Sequence, residues 1–310
     1  MRVIIIGQGA FAVKTLQALL RKEENVVAAY IPPDIPGSPV DLMKETAVAN
    51  RIPVYQPQSY RKNMVFDEYR ALRPELTILA FVRNIIPAQF FEFPSHGAIC
   101  FHPSLLPRHR GGSAISWTLI MGDTRTGVTI FWPDKGIDTG PILLQKEVEI
   151  GQDDTTGSLY FNQLLPLGVE AIVESVGLIK AGAAPKISQD DSKATYEPPC
   201  DDKAAVIDWA KPAQEIYNLI RGCDPQPGAY TVTNKGKIRL YQPKLKTTTV
   251  EASPGTILAI EEEGIQVAAS TGIITIGRVR PEQGKKVHPS EYVKKASLAV
   301  GSSLVLGEKS

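Results

Sequence analysis

The N-terminal part of the chain alternates short apolar segments with amphipathic ones, and this alternation constrains the fold more than any other feature. Arg2 to Ile6 and Leu76 to Phe81 are predicted strands, whereas Phe11 to Arg21 carries apolar residues at helical spacing. Strands that alternate with helices predict a Rossmann-like α/β fold with a doubly wound, mostly parallel sheet. Ligands of such sheets bind outside the carboxyl ends of the strands.

The C-terminal third has a different rhythm. After a short amphipathic helix over Ala213 to Arg221, five short predicted strands follow one another between turns, from Ala229 to Val279. This spacing predicts a small, OB-like β-barrel. Residues 182–202 are rich in Pro, Ser, Asp and Lys and are predicted to form a linker. We therefore expect two domains, residues 1–202 with the linker and residues 203–310, with the boundary near Asp202.

Composition excludes several classes of protein. The 310 residues are 43% hydrophobic and 22% charged, which is typical of a globular protein with ample material for a core. The formal net charge is +1 and there is no long block of Lys or Arg, so nothing requires a polyanionic partner. Three widely spaced cysteines predict neither a disulfide framework nor a metal site, and they favour a reducing cytoplasm. No segment is predicted to enter a membrane.

Two loops concentrate residues that can do chemistry. One runs from His102 to Gly112 and the other from Asp134 to Gly140, and His102 and Asp138 are both predicted at the carboxyl edge of the sheet. Histidine exchanges protons near neutral pH, and a carboxylate within reach would fix its tautomer.

Each polar residue of these loops also has an ordinary interpretation. Ser104 and Thr139 could satisfy turns, and Arg108 and Arg110 could form a solvated basic surface.

A glycine motif near the N-terminus suggests a second kind of site. Gly7-Gln8-Gly9-Ala10-Phe11-Ala12 matches the dinucleotide-binding pattern between a strand and a helix. That site also needs an acid at the end of the second strand, where this chain has Tyr30-Ile31-Pro32-Pro33. A nicotinamide-dependent oxidoreductase is therefore the weaker alternative, and the glycines are explained by a tight turn.

The two loops resemble the signature of the 10-formyltetrahydrofolate-dependent formyltransferases, the family of methionyl-tRNA formyltransferase. The resemblance rests on His102 to Gly111 and on Gly136-Ile137-Asp138-Thr139-Gly140, and it extends along nearly the whole chain. It is closest to the N-terminal hydrolase domain of 10-formyltetrahydrofolate dehydrogenase, for example over Ser113 to Ile120 and over Ala194 to Glu197.

The resemblance implies roles for individual residues. His102 and Asp138 correspond to the catalytic pair, with Ser104 beside the imidazole. Cys100 stands where the family usually has an oxyanion-stabilising Asn; since a thiol is a weak donor, a buried structural residue is the alternative. The folate co-substrate, with no metal, is implied to bind at Phe81, Val82, Arg83, Ile85, Ile86, Pro87, Asp134, Gly136 and Ile137.

The expected function is transfer of the formyl group of 10-formyltetrahydrofolate to a small-molecule amine or hydroxylamine, or its hydrolysis when water enters. In the tRNA enzymes a basic insertion follows the second strand, whereas residues 32–41 of this chain contain no Lys or Arg, which argues against tRNA. Methionyl-tRNA formyltransferase remains one alternative, and a non-catalytic folate-binding protein is another.

Overall fold

The structure, a computed structural model, describes residues 1–82, 84–233 and 235–305. The strands of the N-terminal sheet are β1 Arg2–Gly7, β2 Asn25–Tyr30, β3 Val54–Tyr55, β4 Leu76–Ala80, β5 Ala98–His102, β6 Arg125–Phe131 and β7 Ile142–Glu149. The helices of this part are α1 Gly9–Arg21, α2 Leu42–Ala49, α3 Asn63–Ala71, α4 Gln89–Glu92, α5 Ala114–Ile120, α6 Thr156–Leu159 and α7 Leu165–Lys180.

The seven strands form one sheet in the order β3-β2-β1-β4-β5-β6-β7. Strands β1 to β5 pair in parallel, whereas β6 is antiparallel to β5. The predicted α/β fold is confirmed, with an antiparallel edge added. Because β4 and β5 are parallel neighbours, the loop that begins at Phe81 and the side chain of His102 lie at the same edge of the sheet.

An aromatic cluster fills one part of the core. Tyr30 stacks on Tyr55 with ring centroids 4.8 Å apart and lies edge-on to Tyr69 at 6.0 Å. The buried Tyr69 hydroxyl donates to the carbonyl of Phe90 at 2.6 Å and lies 2.6 Å from the hydroxyl of Thr77 on β4. These contacts tie α3 and α4 to the strands that carry the site loops.

Residues 156–181 are mostly helical in pattern, and Pro166 within them predicts a kink or break. The structure shows this interruption. Helix α6 ends at Leu159, a π-helical turn covers Tyr160–Leu164, and α7 then begins with the proline in its first turn. Proline cannot donate to the carbonyl one turn earlier and collides with it, so the helix must change its hydrogen-bonding pattern there.

The C-terminal elements are α8 Ala213–Cys223, β8 Tyr230–Thr233, β9 Gly236–Thr247, β10 Ile257–Glu261, β11 Gly264–Ala269, β12 Gly272–Pro281 and α9 Pro289–Lys295. The strands form an antiparallel sheet in the order β10-β11-β12-β9-β8, consistent with the predicted small barrel. Its core buries Trp209 and Tyr217 among aliphatic side chains.

The chain folds as two compact units. The first comprises residues 1–110, 126–148 and 162–196, and the second comprises 111–125, 149–161 and 197–310. Both loop signatures, except Gly111 and Gly112, belong to the first unit. Within the described parts of the chain, no helix is long and apolar enough to cross a membrane.

Candidate active site

His102 ends β5 and is held by the loop that follows it. The residue is 5% exposed, and its Nε2 lies 2.8 Å from the carbonyl oxygen of His109. A carbonyl oxygen can only accept a hydrogen bond, so Nε2 carries the hydrogen. Nδ1 is therefore the ring nitrogen that the fold turns towards Asp138.

Asp138 meets the other side of this imidazole. Its Oδ2 lies 3.5 Å from Nδ1 of His102, and the side chains are 18% and 6% exposed respectively. This separation is longer than an ordinary hydrogen bond, and the contact becomes an ion pair only when the imidazole is protonated. The structure thus brings together His102 and Asp138. Asp138 does not follow a parallel strand as predicted, because β6, the strand before it, runs antiparallel to β5 and its carboxyl end points towards the opposite edge.

The loop after His102 is hydrogen-bonded to side chains of strands β6 and β7. The hydroxyl of Thr129 on β6 donates to the carbonyl of Ser104 at 2.6 Å and accepts from the amide of Leu106 at 3.2 Å. Gln145 on β7 donates to the carbonyl of Leu106 at 2.8 Å. The buried Ser104 hydroxyl donates to the carbonyl of Arg108 at 2.7 Å, so its observed partner lies within the loop.

Cys100 lies two residues before His102 on β5 and is partly buried. Its Sγ lies 3.8 Å from the carbonyl oxygen of Phe101. Burial, and secondarily the negative charge of Asp138, raise the pKa of the thiol far above its ordinary value. The group at the position of the family Asn is therefore a neutral thiol at physiological pH.

The loop from Phe81 to Pro87 begins directly after β4. Phe81 adopts a left-handed conformation with φ of 64°, which turns the chain sharply at the edge of the sheet. Ile86 is buried against the aromatic core, with Val82 packed beside it, whereas Ile85 is 80% exposed. Pro87 is half-buried, and Arg83, a predicted folate contact, lies outside the described residues.

The Asp134–Gly140 loop is shaped by internal hydrogen bonds. Oδ1 of Asp134 accepts from the amide of Gly136 at 2.9 Å and from the hydroxyl of Thr139 at 2.6 Å. A Cβ at Gly136 would lie 2.0 Å from Oγ1 of Thr139, so the turn requires glycine. Ile137 at the tip is 58% exposed. This loop and the Phe81 loop each present an exposed isoleucine, which suits the face of a flat ring.

A segment that the sequence indicated only as linker contributes to the site. Gln189 donates to the carbonyls of Asp138 and Gly140 and accepts from Arg110, which is 4% exposed. Arg110 is therefore a buried, paired residue and does not belong to a solvated basic surface. No periodicity or motif marks Gln189, because its partners lie about fifty residues away in sequence.

The glycine motif before α1 has two structural explanations. A Cβ at Gly7 would lie 2.1 Å from the carbonyl oxygen of Ala80, so the parallel strands require glycine there. The amide of Gly9 lies 3.2 Å from the carboxylate of Asp41, which also caps α2 by accepting from the amide of Met43. An internal carboxylate thus occupies the anion-binding position at the start of α1.

Comparison with known proteins identifies the family. The formyl transferase profile matches residues 1–176, and that of the formyl transferase C-terminal domain matches residues 201–297. This chain belongs to the formyl transferase family. The methionyl-tRNA formyltransferase of Trichlorobacter lovleyi is 37% identical to it over 309 residues, which cover 98% of this chain and 97% of that protein.

Other similar proteins differ in length and in the molecules named with them. The cytosolic 10-formyltetrahydrofolate dehydrogenase of Xenopus laevis is 37% identical over 314 residues, 96% of this chain but 35% of that protein. This chain thus spans about a third of the length of the dehydrogenases it matches. The Helicobacter canadensis N-formyltransferase solved with folinic acid and dTDP-3-aminofucose shares the fold, with a TM-score of 0.68 and 20% identity over 92% of this chain and 99% of that one.

Proposed function

We propose that this formyl transferase moves the formyl group of 10-formyltetrahydrofolate to a small-molecule amine or hydroxylamine, and that it hydrolyses the donor when water takes the acceptor's place. The contact between Nδ1 of His102 and Oδ2 of Asp138 carries the proposal. It supplies a proton-exchanging group and a partly exposed carboxylate within one loop-lined site.

The proton balance assigns a role to each residue. As the amine nitrogen bonds to the formyl carbon, Nδ1 of His102 takes the proton that the amine loses, and the carboxylate of Asp138 stabilises the imidazolium. The proton then passes to N10 of the folate as the bond between that nitrogen and the formyl carbon breaks. The products are the formylated amine and tetrahydrofolate; with water as acceptor they are formate and tetrahydrofolate.

The neutral Cys100 thiol is a poor substitute for an oxyanion donor. Because the thiol stays protonated, we assign no proton transfer to Cys100 either. In this proposal the exposed Ile85 and Ile137 side chains contact the pterin ring, and Asp134 and Gly136 shape the loop that carries Ile137.

The test measures tetrahydrofolate release from 10-formyltetrahydrofolate, with and without a panel of amines and hydroxylamines. We expect His102→Ala and Asp138→Ala each to lower the rate by at least about 100-fold, as loss of general acid–base catalysis does. His96→Ala and Asp67→Ala, at exposed positions, serve as matched controls and should retain the wild-type rate. Tight folate binding without turnover by the wild type would favour the non-catalytic alternative.

Methionyl-tRNA is the second candidate acceptor, because the Trichlorobacter lovleyi enzyme matches this chain along almost its whole length. The absence of Lys and Arg from residues 32–41 favours a small acceptor. Binding of aminoacylated initiator tRNA at several salt concentrations separates the two. Steeply salt-dependent binding with formylation would replace the small-molecule acceptor by tRNA.

A further inference from the structure

Gln189 makes four hydrogen bonds, two to the Asp138 loop and two to Arg110. Its Nε2 donates to the carbonyl oxygens of Asp138 at 2.9 Å and Gly140 at 2.7 Å. Its Oε1 accepts from Nε and Nη2 of Arg110 at 3.1 and 2.8 Å. One side-chain amide therefore links a buried cation to both carbonyls that flank Thr139.

Arg110 determines which way this amide points. A guanidinium can only donate, so the oxygen of Gln189 must face it and the NH2 group must face the loop. Arg110 is itself fixed, because it is 4% exposed and its Nη2 donates to Asp191 at 2.7 Å. The hydrogen-bond donors of Arg110 thus fix the orientation of the Gln189 amide.

The loop that Gln189 holds is conformationally demanding. Asp138 has φ of 56°, a left-handed conformation that is uncommon for a residue with a Cβ. At Gly140 a Cβ would lie 1.8 Å from the carbonyl oxygen of Trp132. The hydroxyl of Tyr196 donates to the carbonyl of Ile137. Hydrogen bonds to three carbonyls therefore offset the strain and fix the direction of the Asp138 side chain.

The same stretch of chain also anchors the His102 side. The hydroxyl of Thr195 accepts from the amide of His109 at 2.8 Å, and the carbonyl of Thr195 accepts from the amide of Arg110 at 3.0 Å. The carbonyl of His109 in turn accepts from Nε2 of His102. Gln189, Thr195 and Tyr196 thus hold both loops whose side chains form the candidate pair.

We propose that Gln189 is a positioning residue for Asp138, and that Arg110 acts through it by fixing the direction of the amide. Together they set the contact between Asp138 and Nδ1 of His102. This inference rests on the proposed function, because it concerns the same pair of side chains.

Gln189→Glu gives a sharp test because it separates the two halves of the side chain. A carboxylate retains the pairing with Arg110 but turns an oxygen, which cannot donate, towards the carbonyls of Asp138 and Gly140. Gln189→Met removes both sets of hydrogen bonds at similar size. We expect kcat for tetrahydrofolate release to fall about 100-fold in both variants, which is the cost of misplacing a catalytic group by about 1 Å. The KM for the folate should change by less than about threefold.

Hydrogen exchange of peptides covering residues 134–140 supplies a readout that does not require turnover. Faster exchange there in Gln189→Glu than in the wild type, with an unchanged melting temperature, supports positioning. Ser192→Ala, which removes an exposed hydrogen bond from the same segment, is the control and should leave exchange and kcat at wild-type values.

Two results would overturn the inference: wild-type kcat in Gln189→Glu, or unchanged exchange of the Asp138 loop in that variant. Failure of the proposed function looks different. It appears as a wild-type chain that binds folate without turnover, while the exchange measurement still decides whether Gln189 orders the loop.

Discussion

Cys100 shows how its surroundings determine the chemistry of a residue. It stands two positions before His102, where an ordinary thiol would be the strongest nucleophile in the neighbourhood. Burial and the charge of Asp138 raise its pKa, so it stays protonated as the pH rises through neutrality. Cys200 has the opposite environment: hydrogen bonds from Cys223, whose Sγ lies 3.7 Å away, and from Ser116 lower its pKa.

These opposite shifts predict the order of alkylation. At about pH 8.5, where an ordinary thiol is half ionised, Cys200 should react with iodoacetamide well before Cys100. A raised pKa means that Cys100 reacts only as the pH approaches that higher value, whereas a lowered pKa makes Cys200 reactive at lower pH. Peptide mass spectrometry of a time course measures both rates. Faster labelling of Cys100 would show that its thiol is not desolvated.

Helix α7 packs closely against β5 at a glycine. Phe101, next to His102, stacks on Phe11 with ring centroids 3.8 Å apart. Gly168 of α7 faces this pair, and a Cβ there would lie 2.3 Å from Phe101 and 2.8 Å from Phe11. Gly168 thus lowers the helix propensity of α7 but leaves room for the two rings beside the strand that carries His102.

Gly168→Ala should therefore destabilise the protein by about 1–3 kcal/mol, because overpacking outweighs the better helix propensity of alanine. Displacement of Phe101 should also lower the rate of tetrahydrofolate release. Gly177→Ala in the same helix is the matched control, since nothing lies within 4 Å of its added Cβ. It should stabilise by up to about 1 kcal/mol. Urea unfolding measures both, and equal effects of the two substitutions would contradict the packing argument.

Sequence periodicity located most elements but could not orient them. The apolar and β-branched residues of 127–131 predict a strand there. Only the structure shows that this strand, β6, runs antiparallel to β5 and places Thr129 against the His102 loop. The direction of a strand relative to its neighbour depends on which strands pair in the sheet, and local periodicity does not contain this information. By contrast, the break at Pro166 was predictable, because the missing amide and the ring are local properties of proline.

At the scale of the molecule, the candidate site and the barrel belong to different compact units. His102, Asp138 and the Phe81 loop lie in the first unit, and the core around Trp209 lies in the second. Each unit has buried apolar residues of its own, so we expect each to unfold with its own free energy.

Folate binding should therefore stabilise one unit more than the other. Tetrahydrofolate at about 100 times its Kd should add about 2.7 kcal/mol to the opening free energy of peptides from β1, β4 and β5. Peptides from β9 to β12 should keep their exchange rates. Hydrogen exchange with and without folate tests this expectation. Equal added protection in both sets would mean that the chain unfolds as one cooperative unit.

The sequence by itself determined the α/β fold, the run of short C-terminal strands, the break at Pro166 and the two loops that carry His102 and Asp138, because these depend on local periodicity, turn chemistry and motif. Only the tertiary structure decided that Asp41 fills the glycine loop, that Arg110 is buried and that Gln189 bridges two carbonyls of the Asp138 loop. These contacts join residues that are distant in sequence. The partner of a polar side chain depends on which residues the tertiary fold places beside it.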